Sequence, residues 1–162
     1  MSKKKNNQLK TVLSIVAILM GIGAVCLMCV AAVVETGLTT VTKYKGYQAV
    51  FGLKDYMNFS VLNLIPYVLV ALAVVFAVAA VASNKKAKTF RYVSAALFIV
   101  AGVLLFFTVN FVNWTEGYKA VLDVAINTLK TTKLSLGVGT IISAIVSIVA
   151  GICMAAQNLL KK

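Results

Sequence analysis

The chain has 162 residues, 61% of them hydrophobic and only 12% charged, with a mean hydropathy of +0.96. So much apolar surface in so short a chain excludes an ordinary water-soluble domain, and the same composition excludes intrinsic disorder. Sixteen basic residues against four acidic ones and no His give a net charge of +12. Because those bases flank long apolar runs, they point to anionic lipid headgroups and away from nucleic acid.

The first apolar run, Thr11–Val34, carries no charge and exceeds the roughly 20 residues that cross a bilayer core. Lys3, Lys4, Lys5 and Lys10 precede it as in a signal peptide, but the run is far longer than the ~7–15 apolar residues of one. It reads as an uncleaved signal anchor. A lone strand in lipid leaves its backbone groups unpaired, so this run and the later ones are expected as helices despite their Val and Ile.

The segment 35–61 is the first outer loop. Leu38–Tyr44 and Tyr47–Gly52 are β-prone and flank Lys45-Gly46, which predicts a hairpin turning at Lys45 and Gly46, with Gly46 at positive φ. The hairpin either binds a partner or rims a pore, or it caps the outer helix ends. A second span follows over 62–84, with Pro66 near its start and Ser60 or Asn63 as its cap. The short basic link Lys85, Lys86, Lys88, Arg91 leads to a third span over 92–114.

Glu116–Lys133 differs: Tyr118, Val121, Leu122, Ala125 and Leu129 recur at helical spacing, with Thr115 as N-cap. An amphipathic helix of about four turns is predicted in the second outer loop, 115–134. It either docks on the hairpin or recruits a partner. Tyr56, Phe59, Trp114 and Tyr118 form an outer aromatic belt. Asn58-Phe59-Ser60 and Asn113-Trp114-Thr115 match the glycosylation pattern by chance, hugging the membrane.

The fourth span, 135–159, carries Gly139, Ser143, Ser147, Gly151 and Ala155 at four-residue spacing. Small residues so spaced let helices approach closely, either within the chain or at a partner interface.

Orientation follows from the bases. With the N-terminus inside, the inner segments hold Lys3, Lys4, Lys5, Lys10, Lys85, Lys86, Lys88, Arg91, Lys161 and Lys162 and no acid. The outer loops hold Lys43, Lys45, Lys54, Lys119, Lys130 and Lys133 with all four acids: Glu35, Asp55, Glu116 and Asp123. The positive-inside rule then puts both termini in the cytoplasm.

Catalytic chemistry is missing. No charge falls within a span, no imidazole exists, and Cys26, Cys29 and Cys153 read as small apolar fillers. The four acids, each with Lys nearby, read as solvated ions.

Four spans, inside termini, a β-prone first outer loop and Leu136-Gly137-Val138-Gly139-Thr140 opening the fourth span resemble the claudin-like tetraspan layout. Where claudins carry Gly-Leu-Trp and two Cys, this first loop reads Phe51-Gly52-Leu53-Lys54 without Cys. The resemblance implies a barrier or paracellular-pore role. Tyr47–Gly52 is also similar to a segment of small four-span proteins of Gram-positive bacteria, which brings no function with it.

The expected fold is an all-α membrane protein, one domain over 1–162: a four-transmembrane-helix bundle with a small extracellular hairpin-and-helix cap. The expected role is non-enzymatic: a structural or accessory cell-membrane protein without cofactor, packing as a homo-oligomer or with a larger membrane-protein partner. The alternative is a small oligomeric channel or facilitator, with Ser143 and Ser147 lining its path.

Overall fold

The computed structural model describes residues 3–83 and 86–159, and of Lys3, Lys4 and Lys5 the backbone alone. Lys85, Lys161 and Lys162 of the basic set, and Asn84 at the end of the second span, lie outside the described residues. In chain order the elements are α1 (Lys3–Cys26), β1 (Ala31–Thr36), β2 (Val41–Lys45), α2 (Gly46–Phe51), α3 (Val61–Ala82), α4 (Ala87–Leu105), α5 (Thr108–Phe111), α6 (Glu116–Asp123), β3 (Lys133–Leu136) and α7 (Val138–Leu159). Helices α1, α3, α4 and α7 are long and apolar enough to cross a membrane.

These four pack in the cyclic order α1–α3–α4–α7. Their shared core consists mainly of alanine: Ala17, Ala24, Ala73, Ala77, Ala80, Ala95, Ala101 and Ala150 surround Phe98, which is 0% exposed. Large aliphatic side chains, among them Ile15, Leu19, Leu72, Val75, Ile145 and Ile152, face outward. The ends of the helices have local causes. Ser60 caps α3, its Oγ accepting from the Asn63 amide at 3.2 Å. Pro66 stands early in α3, where its missing N–H removes one backbone bond near the helix start.

The cap is a three-stranded antiparallel sheet of order β2-β1-β3 with α2, α5 and α6 around it. Several boundaries differ from the expectation. The first span ends at Cys26. A 3-10 turn, Leu27–Cys29, closes α1, and Ala31–Val34 becomes the central strand β1. Val33 and Val34 pair with a strand on either side, which removes the objection to a lone strand. The hairpin joins β1 to β2 and turns at residues 37–40, where the Gly37 amide donates to the Thr40 carbonyl.

Lys45 and Gly46 are therefore not the turn: Lys45 ends β2 and Gly46 opens α2. Among the described glycines the positive φ lies at Gly52 instead (φ 90°), where a Cβ would meet the Met57 carbonyl at 2.7 Å. Gly46 is needed for space: a Cβ there would stand 2.9 Å from Met28 Cα.

The third span stops at Leu105. The chain turns at Phe106–Phe107, and residues 112–114 run extended beside Met57 and Asn58. The amphipathic helix is shorter than four turns. α6 continues as a π-helical turn, Val124–Thr128, unwinds at Lys130 (φ 53°), and gives way to the unexpected β3.

Candidate functional site

Polar and aromatic side chains converge in the cap. β1 runs through the middle of the sheet, so Val33 and Glu35 project to one face, and the register sets Val33 opposite Tyr44. Glu35 Oε2 accepts hydrogen bonds from Tyr44 Oη at 2.9 Å and from Tyr118 Oη at 2.7 Å. Tyr118 comes from α6, so this carboxylate ties segment 35–61 to segment 115–134. Around it four rings form a closed circuit. Tyr44–Trp114 meet edge-on at 5.7 Å, Trp114–Tyr118 at 5.5 Å, Tyr118–Tyr56 at 5.0 Å and Tyr56–Tyr44 at 6.5 Å.

Burial, then the bonds to Tyr118 and Glu35, hold the Tyr44 phenol well above the ordinary tyrosine range. Tyr118 is raised as well, first by burial and then by Glu35, against a lowering contribution from Tyr44. The unfolded chain ionises these phenols near pH 10, while the folded cap keeps them protonated. Their contribution to stability is therefore complete below about pH 10 and is lost as the pH rises beyond it. Tyrosinate absorbance should show Tyr44 and Tyr118 titrating late. Glu35→Gln should bring both part of the way back, since burial remains. A titration curve that Glu35→Gln does not move would remove the carboxylate from the network.

The cap is anchored to the bundle through Ser60. Its Oγ donates to the Phe111 carbonyl and its amide to the Val50 carbonyl at 2.8 Å. Asn63 Nδ2 donates to the Ala49 carbonyl at 3.2 Å. Thr115 stands at the N-cap position of α6, but its Oγ1 donates to the Asp55 carbonyl at 3.1 Å and leaves α6 without a side-chain cap. The two glycosylation-like triplets lie side by side: Asn58 N donates to the Asn113 carbonyl at 2.7 Å, and Asn113 Nδ2 to the Phe59 carbonyl at 3.2 Å.

The small-residue ridge of α7 faces two different neighbours. Gly139 lies against Leu27, Val30 and Ala31, and Ser143 Oγ donates to the Ala24 carbonyl of α1 at 2.8 Å. Gly151 lies against Ala95, Phe98 and Ile99 of α4. Residues four apart drift by roughly 40° on a helix, so the ridge turns from one neighbour to the other. Ser147 is buried between them with no partner for its Oγ, and Ala155 is half-buried.

The cysteines are free, and the described residues hold no group of three His, Cys, Asp or Glu able to bind a metal. The chain matches no family model and no curated protein.

Two polar groupings were not foreseen. Glu35 is no lysine-paired surface ion: it is half-buried, with two phenols as its partners. Its signal was the alternation of Val33 and Glu35 with Tyr44 on a strand, hidden inside an apolar run. Ser14 Oγ donates to Gln157 Oε1 at 2.8 Å between α1 and α7, and Gln157 is 0% exposed. Gln157 Nε2 in turn donates to Met154 Sδ at 3.3 Å.

Proposed function

We propose that this chain is a non-enzymatic, multi-pass protein of the cell membrane, a structural or accessory subunit with both termini cytoplasmic and the cap outside. The observation that carries the reading is the distribution of side-chain size. Alanine, glycine and serine fill the bundle, and leucine, isoleucine and valine coat it. In lipid, apolar burial does not drive helices together, so small residues gather where backbones approach and large ones meet the acyl chains.

The interior favours a structural role over conduction. Phe98 fills the bundle axis, with Gly21 on α1 and Gly151 on α7 making room for it. Ser143, the expected pore-lining residue, is turned into the α1 contact. The aromatic cap, exposed at Tyr56, is the surface we assign to a homo-oligomer or a larger membrane-protein partner. The basic residues at the terminal end face anionic headgroups. The claudin-like resemblance enters this proposal as architecture: four spans with a sheet cap drawn from both outer loops.

Affinity capture of the full chain from native membranes in mild detergent tests the role. A stoichiometric larger subunit or a discrete non-conducting homo-oligomer is expected, and ion flux through liposomes holding the pure chain would oppose it. Topology is tested separately, with the native cysteines replaced. Single cysteines at the exposed positions Lys45 and Lys130 should react with an impermeant thiol reagent in intact cells, and one at Lys86 should not. Labelling at Lys86 would reverse the orientation.

A further inference from the structure

The sequence Cys26-Leu27-Met28-Cys29 places two thiols three residues apart, and the fold gives this spacing a fixed geometry. α1 ends at Cys26, and Leu27–Cys29 forms a single 3-10 turn, closed by the Val30 amide donating to the Leu27 carbonyl at 3.0 Å. Residues three apart in such a turn stand one above the other, so the two Cα atoms are about 6 Å apart. That falls within the roughly 4.4–6.8 Å that a disulfide spans.

The two residues between the cysteines are held against the protein. Gly139 of α7 and Gly46 of α2 let neighbouring backbones close on the turn. A Cβ on Gly139 would stand 3.1 Å from the Leu27 carbonyl oxygen, and one on Gly46 2.9 Å from Met28 Cα. Met28 also packs on the cluster of Val50, Tyr67 and Leu105. Cys26 and Cys29, by contrast, are both exposed and both free. Their surroundings differ. Cys26 lines an apolar cleft of about 250 Å³ between α1 and α3, with Val25, Ala71 and Val74. Cys29 lies one turn nearer the cap.

We propose that Cys26 and Cys29 are a thiol–disulfide exchange site that takes up a disulfide from a disulfide-bearing partner on the outer side of the membrane. An incoming disulfide meets Cys29 first, because that thiol is nearer the cap. The Cys29 thiolate bonds to one partner sulfur, the partner's S–S bond breaks, and the released sulfur takes up a proton. Cys26, one turn away, then loses its proton and attacks the Cys29 sulfur. The bond from Cys29 to the partner breaks, and the partner's second thiol leaves protonated. Two thiols of this chain are oxidised, one partner disulfide is reduced, and no other oxidant enters. The second step is intramolecular, which favours it over attack by another molecule. The inference goes beyond the accessory role but shares its topology, which puts this turn on the outer side, away from the reducing cytoplasm.

The test uses the purified full chain in detergent, reduced and then incubated with oxidised glutathione. Two of the three thiols should be lost, with Cys26 and Cys29 recovered in one internally bridged peptide and Cys153 still open to alkylation. Excess reduced glutathione should restore both. In Cys26→Ser the glutathione adduct on Cys29 should persist, whereas in the unaltered chain it should pass on to the bridge. Separate lasting adducts on Cys26 and Cys29 of the unaltered chain, bridges between chains, equal loss of Cys153, or no reaction at either thiol would overturn the pair. Should Cys26→Ser fail to fold, the peptide map of the unaltered chain decides. Labelling of Lys86 from outside is a different failure: it overturns the outer partner and leaves the exchange in detergent unchanged.

Discussion

Gly137→Ala should lower the thermal stability of this chain more than a methyl group added at any other glycine. Gly137 links β3 to α7, and its amide donates to the Ala32 carbonyl at 2.7 Å. A Cβ there would run into the Ala31 carbonyl group and stand 2.9 Å from the Ala32 carbonyl carbon. All of these are backbone atoms, so no rotamer change relieves the clash. Either β1 or the start of α7 must move. β1 is the central strand, so its displacement weakens both ladders and pulls on Val33 and Glu35 beneath Tyr44. The expected cost is about 3 kcal/mol, at the upper end of overpacking effects. Gly23→Ala and Gly117→Ala are the comparison. Beyond the backbone of its own helix, neither added Cβ meets an atom within 4 Å, both sites are helical, and alanine there should stabilise by up to about 1 kcal/mol. Thermal unfolding in detergent decides. A Gly137→Ala variant that melts with the comparison pair would mean that the β1–α7 approach is looser than described.

The four long helices were legible because length and lack of charge suffice to find them. Their ends were not. Val30–Val34 is as apolar as the helix before it, so hydropathy carries no mark of the point where α1 closes and β1 begins. The deciding contacts come from β2 and from β3, residues 133–136, a hundred positions further on. The same distance hid the third strand, whose residues read as the end of the second outer loop and the opening of the fourth span. At Phe106–Phe107 the bend has a local agent, Thr108 Oγ1 donating to the Leu105 carbonyl at 2.7 Å, but a threonine within an aromatic run carries no unique signal.

The site residues divide in the same way. The ridge of α7 showed as a spacing, though not which helix each member meets. The Glu35–Tyr44–Tyr118 network draws on three elements that only the fold assembles, and its tyrosines looked like an ordinary interfacial belt. Size was the better guide inside the bundle. Ala and Val are both apolar, so no amphipathic stripe was visible, yet alanine marks the interior and the larger aliphatics the outside.

Gly151→Leu tests that size rule at the α4–α7 seam. A Cβ on Gly151 would stand 2.7 Å from Ile99 Cγ1, 3.0 Å from the Ala95 carbonyl and 3.2 Å from Phe98 Cβ. Across the same seam, a Cβ on Gly102 would stand 2.6 Å from Ile148 Cγ1 and 2.9 Å from the Ala144 carbonyl. Each helix therefore contributes a glycine to the approach, and the backbone carbonyls leave no room for a branched side chain. Leucine at 151 forces the helices apart, which forfeits dispersion contacts along the seam and uncovers Phe98. The expected loss is about 3 kcal/mol in the isolated chain, against about 1 kcal/mol for Gly151→Ala. Ile152→Leu, one residue on and exposed, should be silent. Gly102→Ala and Gly151→Ala probe one shared gap. Once either has widened it, the other costs less, so the double variant should lose clearly less stability than the two single losses added together. Strict additivity would mean that the two glycines sit in separate contacts. If Gly151→Leu left the isolated chain's melting unchanged and abolished only its assembly with a partner, the ridge would belong to an intermolecular interface.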